Sequence, residues 1–264
     1  MDYYYEENKW LTELQQKVRE ITGGDRSVCL VGHKKDRTSY YLDSFPQWDR
    51  KLDFPFHEGL SSTDIRAEYF FQPTFLDDAP LPKSIQEYLE NWSETEKFGN
   101  LKKEYDYYIN YKLPYRNLPF PVTFVTTDVV VIKSGHVLLV RRKVNPGKGL
   151  LALPGGFINQ SEWIKDAAFR ELKEETRIKV DKKVLKEHVV DEFIADHPDR
   201  SLRGRTISHV YCVKLPEDGK GLPYVKGGDD AGQALWMPFY DLTLHENEMF
   251  EDHLHIIGHF INKF

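Results

Sequence analysis

Cysteine is scarce in this sequence, and long apolar runs are missing from it. Its 264 residues include only two cysteines, Cys29 and Cys212, which lie far apart and outside any CxxC spacing. This excludes a disulfide framework and a thiolate metal site, so we expect both thiols to be buried as small hydrophobic groups. The N-terminal residues lack the basic flank and apolar core of a signal peptide, and no apolar run is long enough to span a membrane. The sequence therefore predicts a soluble, cytoplasmic protein without a membrane partner.

Clusters of basic residues are also missing. The formal net charge is -6 at pH 7, which argues against a nucleic-acid partner because counterion release rewards clustered Lys and Arg. An acidic protein that acts on phosphorylated compounds normally uses a divalent cation to offset the charge on both sides.

The first part of the chain has the pattern of an α/β, Rossmann-like portion. Apolar residues recur at helical spacing from Trp10 to Ile21, and Gly23-Gly24 end the pattern. Residues 27–32 form a short apolar run after a turn, which is typical of a buried parallel strand. Charged stretches rich in Tyr, Leu and Ile predict helices from about residue 83 to Lys112.

Three prolines then fall within residues 114–121 and favour extended structure. We place a linker there, so that residues 1–113 form the first part and residues 122–264 the second domain. This domain opens with two strand-like stretches, residues 122–132 and 136–142, joined by a tight turn.

One segment of the second domain combines glycines with regularly spaced glutamates. On a helix Glu171 and Glu175 project from the same face, with Glu174 beside them. Three carboxylates so close repel one another, and a hard divalent cation, Mg²⁺ or Mn²⁺, is the natural compensation. Gly155 and Gly156 permit backbone conformations that other residues resist, and they bring a carbonyl close to the metal. The opposite helix face carries three residues suited to packing on a sheet: Ile164, Ala168 and Leu172.

This segment resembles the Nudix box, G-x5-E-x7-R-E-U-x-E-E-x-G-U, in which U is aliphatic. The matching residues are Gly156, Glu162, Arg170, Glu171, Leu172, Glu174, Glu175 and Ile178. The resemblance implies an α+β fold, an α/β/α sandwich around a mixed sheet, and hydrolysis of a diphosphate. It also implies that the metal is bound by four residues: Gly156, Glu171, Glu174 and Glu175. Arg170 would orient a glutamate by charge-assisted hydrogen bonding.

The general base remains open between two positions. Glu174 is one candidate, and Asp229 or Asp230 in a glycine-flanked loop is the other. A solvated turn is the alternative role for that loop. Three arginines are candidate diphosphate contacts: Arg142, Arg203 and Arg205.

Arg177 departs from the box, because the family has glycine there to end the helix in a left-handed conformation. Arginine adopts that conformation at a cost of about 1 kcal/mol. We therefore predict a modest stability defect without loss of metal ligands.

The segment Ser61-Ser62-Thr63-Asp64-Ile65-Arg66 resembles the Ser-Ser-Thr-x-x-Arg element of nicotinamide mononucleotide (NMN) adenylyltransferases. In that family hydroxyls, a helix N-terminus and the arginine bind ATP phosphates. The resemblance implies nucleotide binding by Ser61, Ser62, Thr63 and Arg66, with ATP and NMN as ligands. A simple N-cap followed by a helix is the alternative.

An adenylyltransferase-like part followed by a Nudix part resembles the bifunctional NMN adenylyltransferase/Nudix hydrolases of NAD metabolism. The glycine- and histidine-bearing loop with which those transferases begin, G-x-F-x-P-x-H-x-G-H, does not occur in this sequence. We therefore expect an incomplete transferase portion with little adenylyl transfer of its own, arising from an internal start or a partial gene. Sheet edges left open in this way are either covered by another chain or the result of a truncated sequence. We expect a homo-oligomer.

The resemblance to the bifunctional family implies Mg²⁺-dependent hydrolysis of ADP-ribose to AMP and ribose 5-phosphate, which is the expected function. One alternative is a Nudix hydrolase for another substrate, such as a dinucleoside polyphosphate, NADH or an oxidised nucleotide. The other is a non-catalytic ADP-ribose sensor of the kind that carries a DNA-binding domain. The sequence after residue 238 predicts one closing helix, with Leu254, Ile257 and Phe260 on its apolar side, and no basic reading helix.

Overall fold

The computed structural model describes residues 7–24, 27–34, 37–51, 61–72, 76, 79–228 and 231–263. These residues divide into two compact units, and the division along the chain falls between Lys102 and Lys103. None of the helices in those ranges is long and apolar enough to cross a membrane. The predicted linker, residues 114–121, lies within the second unit, and its role as a boundary between domains stays a prediction.

The first unit is built mainly from helices. Its elements are α1 (Glu7–Thr22), β1 (Cys29–Val31), a 3-10 segment (Arg37–Asp43), β2 (Asp49–Lys51), α2 (Ser62–Phe71), α3 (Lys83–Ser93) and the start of α4 (Glu96–Lys112). The predicted helices are confirmed, and β1 pairs with β2 in parallel as expected for a Rossmann-like portion.

The predicted burial of the first strand is wrong. Cys29 and Val31 are exposed, and only Leu30 between them is partly covered. A three-residue strand in a two-stranded ladder has too little area to be enclosed. Of the two thiols, therefore, only Cys212 is buried as expected. The buried residues of this unit include Tyr69 and Phe98, whose rings lie 5.2 Å apart.

The second unit contains a mixed seven-stranded sheet, which confirms the predicted fold class. Its strands are β3 (Phe124–Lys133), β4 (His136–Arg142), β5 (Leu151–Ala152), β6 (Gly155–Phe157), β7 (Val189–Ala195), β8 (Thr206–Lys214) and β9 (Ala231–Pro238). The order is β5-β4-β3-β8-β7, with β6 also paired to β3 and β9 to β4. Strands β3 and β8 run parallel, whereas the remaining pairs are antiparallel.

Helices cover both faces of this sheet. On one face α5 (Ile164–Thr176) and α6 (Lys182–Glu187) pack against Val129 and Val131 of β3. On the other face α7 (His253–Ile261) packs against Val130 and Ile132. Successive strand residues point to opposite faces, so the continuous apolar run of β3 serves two cores. The predicted α/β/α sandwich and its closing helix are confirmed.

Candidate active site

Helix α5 keeps packing and polar chemistry on separate faces, as the sequence predicts. Ala168, Phe169 and Leu172 are fully buried against the sheet. The glutamates lie on the other side, where Glu174 is exposed and Glu171 half-buried. The helix begins after Trp163, whose backbone is extended, and it ends at Arg177.

Arg170 holds several of these carboxylates at once. Its Nε and Nη2 donate to the two carboxylate oxygens of Glu162 at 3.0 and 2.6 Å. Its Nη1 donates to Glu171 at 2.7 Å and to Glu174 at 2.9 Å. The hydrogen bonds from Arg170 lower the pKa of Glu162 to about 2. Arg170 thus hydrogen-bonds three glutamates, whereas the prediction named one, and its orienting role stays a prediction.

Glycine is required at positions 155 and 156, ahead of the helix, for a reason other than the predicted one. Neither Gly155 nor Gly156 has a positive φ, so the expectation of unusual backbone conformations is wrong. Both are required by close approach instead. A Cβ on Gly155 would lie 2.2 Å from the carbonyl oxygen of Thr127, and one on Gly156 would lie 2.8 Å from the carboxyl carbon of Glu171. Pairing of β6 with β3 therefore leaves no room for a side chain at Gly155, and the approach of α5 leaves none at Gly156.

Glu175 is a desolvated carboxylate beside these glycines. Its Oε2 accepts a hydrogen bond of 3.0 Å from the Gly155 amide. Burial raises the pKa of Glu175 to about 8, and the charges of Glu171 and Asp128 act in the same direction. Burial also raises the pKa of Glu171. Burial thus disfavours the charge of both carboxylates, and at Glu171 the hydrogen bond from Arg170 opposes that effect.

This donor set fits a hard divalent cation, which prefers several carboxylate and carbonyl oxygens and would supply the missing positive charge. In the present arrangement, no three His, Cys, Asp or Glu side chains of the described residues converge as a metal site. Arg170 binds Glu171 and Glu174, while Glu175 is bonded to Gly155.

The loop candidates for the general base, residues 229 and 230, lie outside the described residues. Asp229 and Asp230 belong to that part of the chain, but the residue before them is fixed beside α5. The amide of Gly228 donates to the carbonyl of Glu175 at 2.9 Å, and a Cβ on Gly228 would lie 2.3 Å from the carbonyl oxygen of Glu174. The other candidate, Glu174, is ion-paired with Arg170 at 2.9 Å.

Two of the three candidate arginines lie beside the same aromatic ring, that of Phe250. The guanidinium of Arg142 lies 4.2 Å from the ring centroid of Phe250, and that of Arg203 lies 5.9 Å from the same centroid. Burial lowers the pKa of Arg142, as does the charge of Arg203, whereas Glu175 opposes the shift. Arg205 instead donates to the backbone carbonyl of Asp196 in an exposed position.

The profile of the NUDIX domain matches residues 122–259, just over half of the chain. The chain belongs to the Nudix family. The matched region contains all the α5 glutamates, Arg170 and both glycines of β6.

Two relatives match parts of the chain. An ADP-ribose pyrophosphatase of Methanocaldococcus jannaschii is 38% identical over 119 residues, which are 45% of this chain and 62% of that protein. A nicotinamide/nicotinic acid mononucleotide adenylyltransferase of Acinetobacter baylyi is 30% identical over 101 residues, 38% of this chain and 53% of that protein. The matches thus span less than two thirds of either relative.

A solved structure matches almost the whole chain. It is a bifunctional NMN adenylyltransferase/ADP ribose pyrophosphatase from Francisella tularensis, complexed with AMP and a Mn ion. The TM-score is 0.84 at 33% identity, and the match covers 99% of this chain and 76% of that one. The predicted resemblance to the bifunctional family is confirmed.

Several buried charges of the second unit lie outside the Nudix box. Arg200 and Asp252 form two hydrogen bonds of 2.8 Å each, with side chains 2% and 0% exposed. Asp128 is also buried and accepts a hydrogen bond from Ser208. These residues are far apart in sequence and show no periodicity, so only the fold brings them together. Glu162, by contrast, could have been assigned as the partner of Arg170 from its place in the Nudix box.

The adenylyltransferase-like residues form a capped helix start. Ser61 is the N-cap of α2, and its side chain accepts from the Asp64 amide at 3.3 Å. Ser62, Thr63 and Arg66 are exposed in the first turns. This geometry agrees with the alternative of a simple N-cap followed by a helix. Nucleotide binding at these residues stays a prediction.

Arg177 has the left-handed conformation predicted for it, with φ 46° and ψ 30°. Its amide donates to the carbonyl of Lys173 at 2.9 Å and closes the Nudix helix. Arginine therefore adopts here the left-handed conformation for which the family has glycine.

Proposed function

We propose that this chain hydrolyses ADP-ribose to AMP and ribose 5-phosphate in a Mg²⁺-dependent reaction, as part of a bifunctional protein of NAD metabolism. The observation that carries the proposal is the arrangement on α5. Arg170 ties Glu171 and Glu174 together next to the desolvated Glu175. ADP-ribose is proposed as the substrate because the similar proteins include an ADP-ribose pyrophosphatase and a bifunctional NMN adenylyltransferase/ADP ribose pyrophosphatase.

Four residues would hold the cation: Gly156 through its carbonyl, Glu171, Glu174 and Glu175. When bound, Mg²⁺ would offset the diphosphate charge and activate a water molecule as the nucleophile. Arg170 would keep Glu171 and Glu174 positioned, because its ion pairs fix both carboxylates relative to Glu162. The pKa shift of Glu175 supports this assignment, since a buried carboxylate without a full counter-charge favours a cation.

Arg142 and Arg203 would bind the diphosphate. Both guanidinium groups lie beside the ring of Phe250, and the charge of Arg203 lowers the pKa of Arg142. Two cations held together repel, and an anion between them relieves that repulsion. Arg205 is the weaker candidate, because its guanidinium is bonded to Asp196 in an exposed position.

The proton acceptor would be Glu174 or one of the loop aspartates, Asp229 and Asp230. Glu174→Gln, Asp229→Asn and Asp230→Asn separate these possibilities. Replacement of the base should lower kcat by about 100-fold or more and leave KM nearly unchanged. An aspartate variant with this effect would favour the loop, whereas two silent aspartate variants would favour Glu174.

The test of the main proposal is release of AMP from ADP-ribose by the purified chain. Turnover should require Mg²⁺, cease with a chelator and return when Mg²⁺ is restored. Glu175→Gln should abolish turnover with the fold intact, while Glu187→Gln on the exposed end of α6 is the matched control. Absence of turnover with ADP-ribose and every other nucleoside diphosphate would reject a hydrolase.

The same assay addresses the alternatives. Faster turnover of NADH, a dinucleoside polyphosphate or an oxidised nucleotide would assign another Nudix substrate. Tight binding of ADP-ribose without hydrolysis would indicate a sensor. The glutamates of the Nudix box are all present, which favours catalysis.

The first unit carries a separate proposal, namely that Ser61, Ser62, Thr63 and Arg66 bind ATP phosphates. Exposed hydroxyls and a guanidinium at the start of α2 support it. Calorimetric titration with ATP, in wild type and Arg66→Ala, tests it. We also propose a homo-oligomer, which light scattering of the purified chain would detect.

A further inference from the structure

The loop between β4 and β5 fixes the side chain of Arg142. The Nε of Arg142 donates to the carbonyl of Pro146 at 2.7 Å, and its guanidinium lies 4.2 Å from the ring centroid of Phe250. Gly147, the next residue of the loop, packs so tightly against the same ring that a Cβ there would overlap it. The direction of the Arg142 side chain therefore depends on where residues 146 and 147 are held.

A carboxylate from outside the loop holds these two residues. Pro146 and Gly147 are both buried, and the amide of Gly147 donates to Oε1 of Glu104 at 2.8 Å. A buried amide requires an acceptor, and a carboxylate forms a stronger hydrogen bond with it than a neutral oxygen does. Glu104 therefore fastens the loop at the residue that follows the acceptor of Arg142.

Glu104 belongs to α4 and precedes residue 122, where the match to the NUDIX domain begins. It is nevertheless part of the second unit, which includes residues 103–264. Two turns further along α4, the ring of Tyr111 meets that of Phe124 edge to face at 5.5 Å. Packing against β3 therefore fixes the part of α4 that carries Glu104 relative to the Nudix sheet.

The surroundings of Tyr108, one turn after Glu104, show that this carboxylate lies near the candidate diphosphate contacts. Burial raises the pKa of Tyr108, and the charges of Glu104 and Glu251 raise it further. The charges of Arg203 and Arg142 oppose that shift. A carboxylate repels a diphosphate, so a direct contact between Glu104 and the substrate is unfavourable. Its hydrogen bond to the loop gives it an indirect role instead.

We propose that Glu104 is a positioning residue for Arg142: it holds the loop at residues 146 and 147, and the loop holds the guanidinium where it binds the diphosphate. The proposal rests on the proposed hydrolase function and deepens it, because it adds a residue from outside the Nudix match to the substrate-binding machinery. Without the Glu104 carboxylate the loop is released, and Arg142 loses its fixed direction.

Two substitutions of Glu104 in the full chain test the proposal. Glu104→Leu removes the acceptor, whereas Glu104→Gln keeps one, because its side-chain carbonyl can accept from the Gly147 amide. With ADP-ribose, Glu104→Leu should raise KM about tenfold, the effect of one charged hydrogen bond. Its kcat should change less than about threefold, because a diphosphate contact acts in the ground state and the transition state alike.

Glu104→Gln should restore KM to within about threefold of wild type. The matched control is Glu96→Leu, at an exposed position in the first turn of the same helix, and it should behave as wild type. If Glu104→Leu does not fold, the smaller Glu104→Ala, which also lacks the acceptor, replaces it. A lower melting temperature of the folded variant with an unchanged KM would show a purely structural role and overturn the proposal.

A double-mutant cycle shows whether Glu104 acts through Arg142. In an Arg142→Ala background, Glu104→Leu should change KM by less than about twofold, because the group that it positions is already absent. Effects of the two substitutions that multiply would mean that they act independently, and this result would overturn the proposal.

Calorimetric titration with ADP-ribose separates this proposal from the hydrolase function. The titrations use Mg²⁺ and the Glu175→Gln background, in which turnover should cease. Weaker binding after Glu104→Leu would support the positioning role even if the wild type does not hydrolyse ADP-ribose, and only the hydrolase proposal would then fail. Normal hydrolysis by the wild type, with the same affinity and KM after Glu104→Leu, would overturn the positioning role alone. No binding of ADP-ribose by the wild type would overturn both.

Discussion

Gly156 lies so close to Glu171 that a Cβ on the glycine would fall 2.8 Å from both the carboxyl carbon and Oε1 of that glutamate. A side chain at Gly156 must displace Glu171, whose carboxylate is held by Arg170. The close approach of β6 to α5 therefore fixes the position of the Glu171 carboxylate in addition to packing the two elements together.

Gly156→Ala should lower activity more than stability. A shift of Glu171 by about 1 Å is expected to reduce kcat/KM by about 100-fold. The end of a glutamate side chain can move, so the loss in unfolding free energy should be about 1–2 kcal/mol. Steady-state kinetics and urea unfolding measure the two effects. A fully active Gly156→Ala variant would contradict the geometry.

Two further glycines provide the comparison. Gly155→Ala meets backbone atoms of Thr127 and Asp128 at 2.2 and 2.8 Å, which cannot move independently, so we expect about 3 kcal/mol or more of destabilisation. Gly258 lies within α7 with nothing within 4 Å of a Cβ. Gly258→Ala should stabilise the protein by about 1 kcal/mol and leave activity unchanged.

Arg177→Gly should raise the melting temperature. Glycine has no Cβ penalty at φ 46°, so the gain should be about 1 kcal/mol, or roughly 2–4 °C for a protein of this size. Arg177→Ala separates the backbone from the side chain, because alanine keeps the penalty and loses the guanidinium. A melting temperature below that of wild type in Arg177→Gly would show that the side chain, which lies close to Gly228, outweighs the strain.

The buried pair Arg200–Asp252 should be costly to break. Asp252→Asn leaves the Arg200 charge without its partner in a site that is 2% exposed, and we expect a loss of about 3–5 kcal/mol in unfolding free energy. Glu187→Gln, in the exposed Lys183–Glu187 pair at 3.9 Å, should have no measurable effect. Equal losses of unfolding free energy for the two substitutions, measured in urea, would contradict the prediction that the buried pair is the more costly to break.

His253 should make the protein sensitive to acid. Burial lowers its pKa to about 3, and its Nδ1 accepts a hydrogen bond of 2.8 Å from the Leu153 amide, which requires the unprotonated nitrogen. The unfolded chain binds a proton near pH 6.5, whereas the folded chain does not. Its contribution to stability is therefore complete above pH 6.5 and is lost progressively towards pH 3.

His253→Asn tests this pH dependence, because asparagine offers an acceptor near the position of Nδ1 and does not titrate. Unfolding free energies between pH 7.5 and 4 should fall less steeply in the variant than in wild type. Identical slopes would show that other groups govern the acid limb.

The sequence alone determined the features that depend on local spacing. The periodicity of α5 and the Nudix box fixed the helix, its two faces and the clustering of Glu171, Glu174 and Glu175. The helices of the first unit and the closing helix α7 followed from the same 3.6-residue pattern, and the left-handed Arg177 followed from its place after that helix. Each of these signals lies within a few residues of the structure it specifies.

Other features were decided only by the tertiary structure, because they join residues far apart in sequence. Cys29 is exposed because β1 pairs with β2 alone among the described residues, and an apolar run does not reveal the number of neighbouring strands. Glycine is required at positions 155 and 156 because β3 and α5 approach them closely, and not because of the backbone conformation of the two residues. The pairing of Arg200 with Asp252, and the meeting of Arg142 with Arg203 on Phe250, arise when β4, the loop ahead of β8 and the chain ahead of α7 converge. Contacts of this kind have no period along the chain, so only packing creates them.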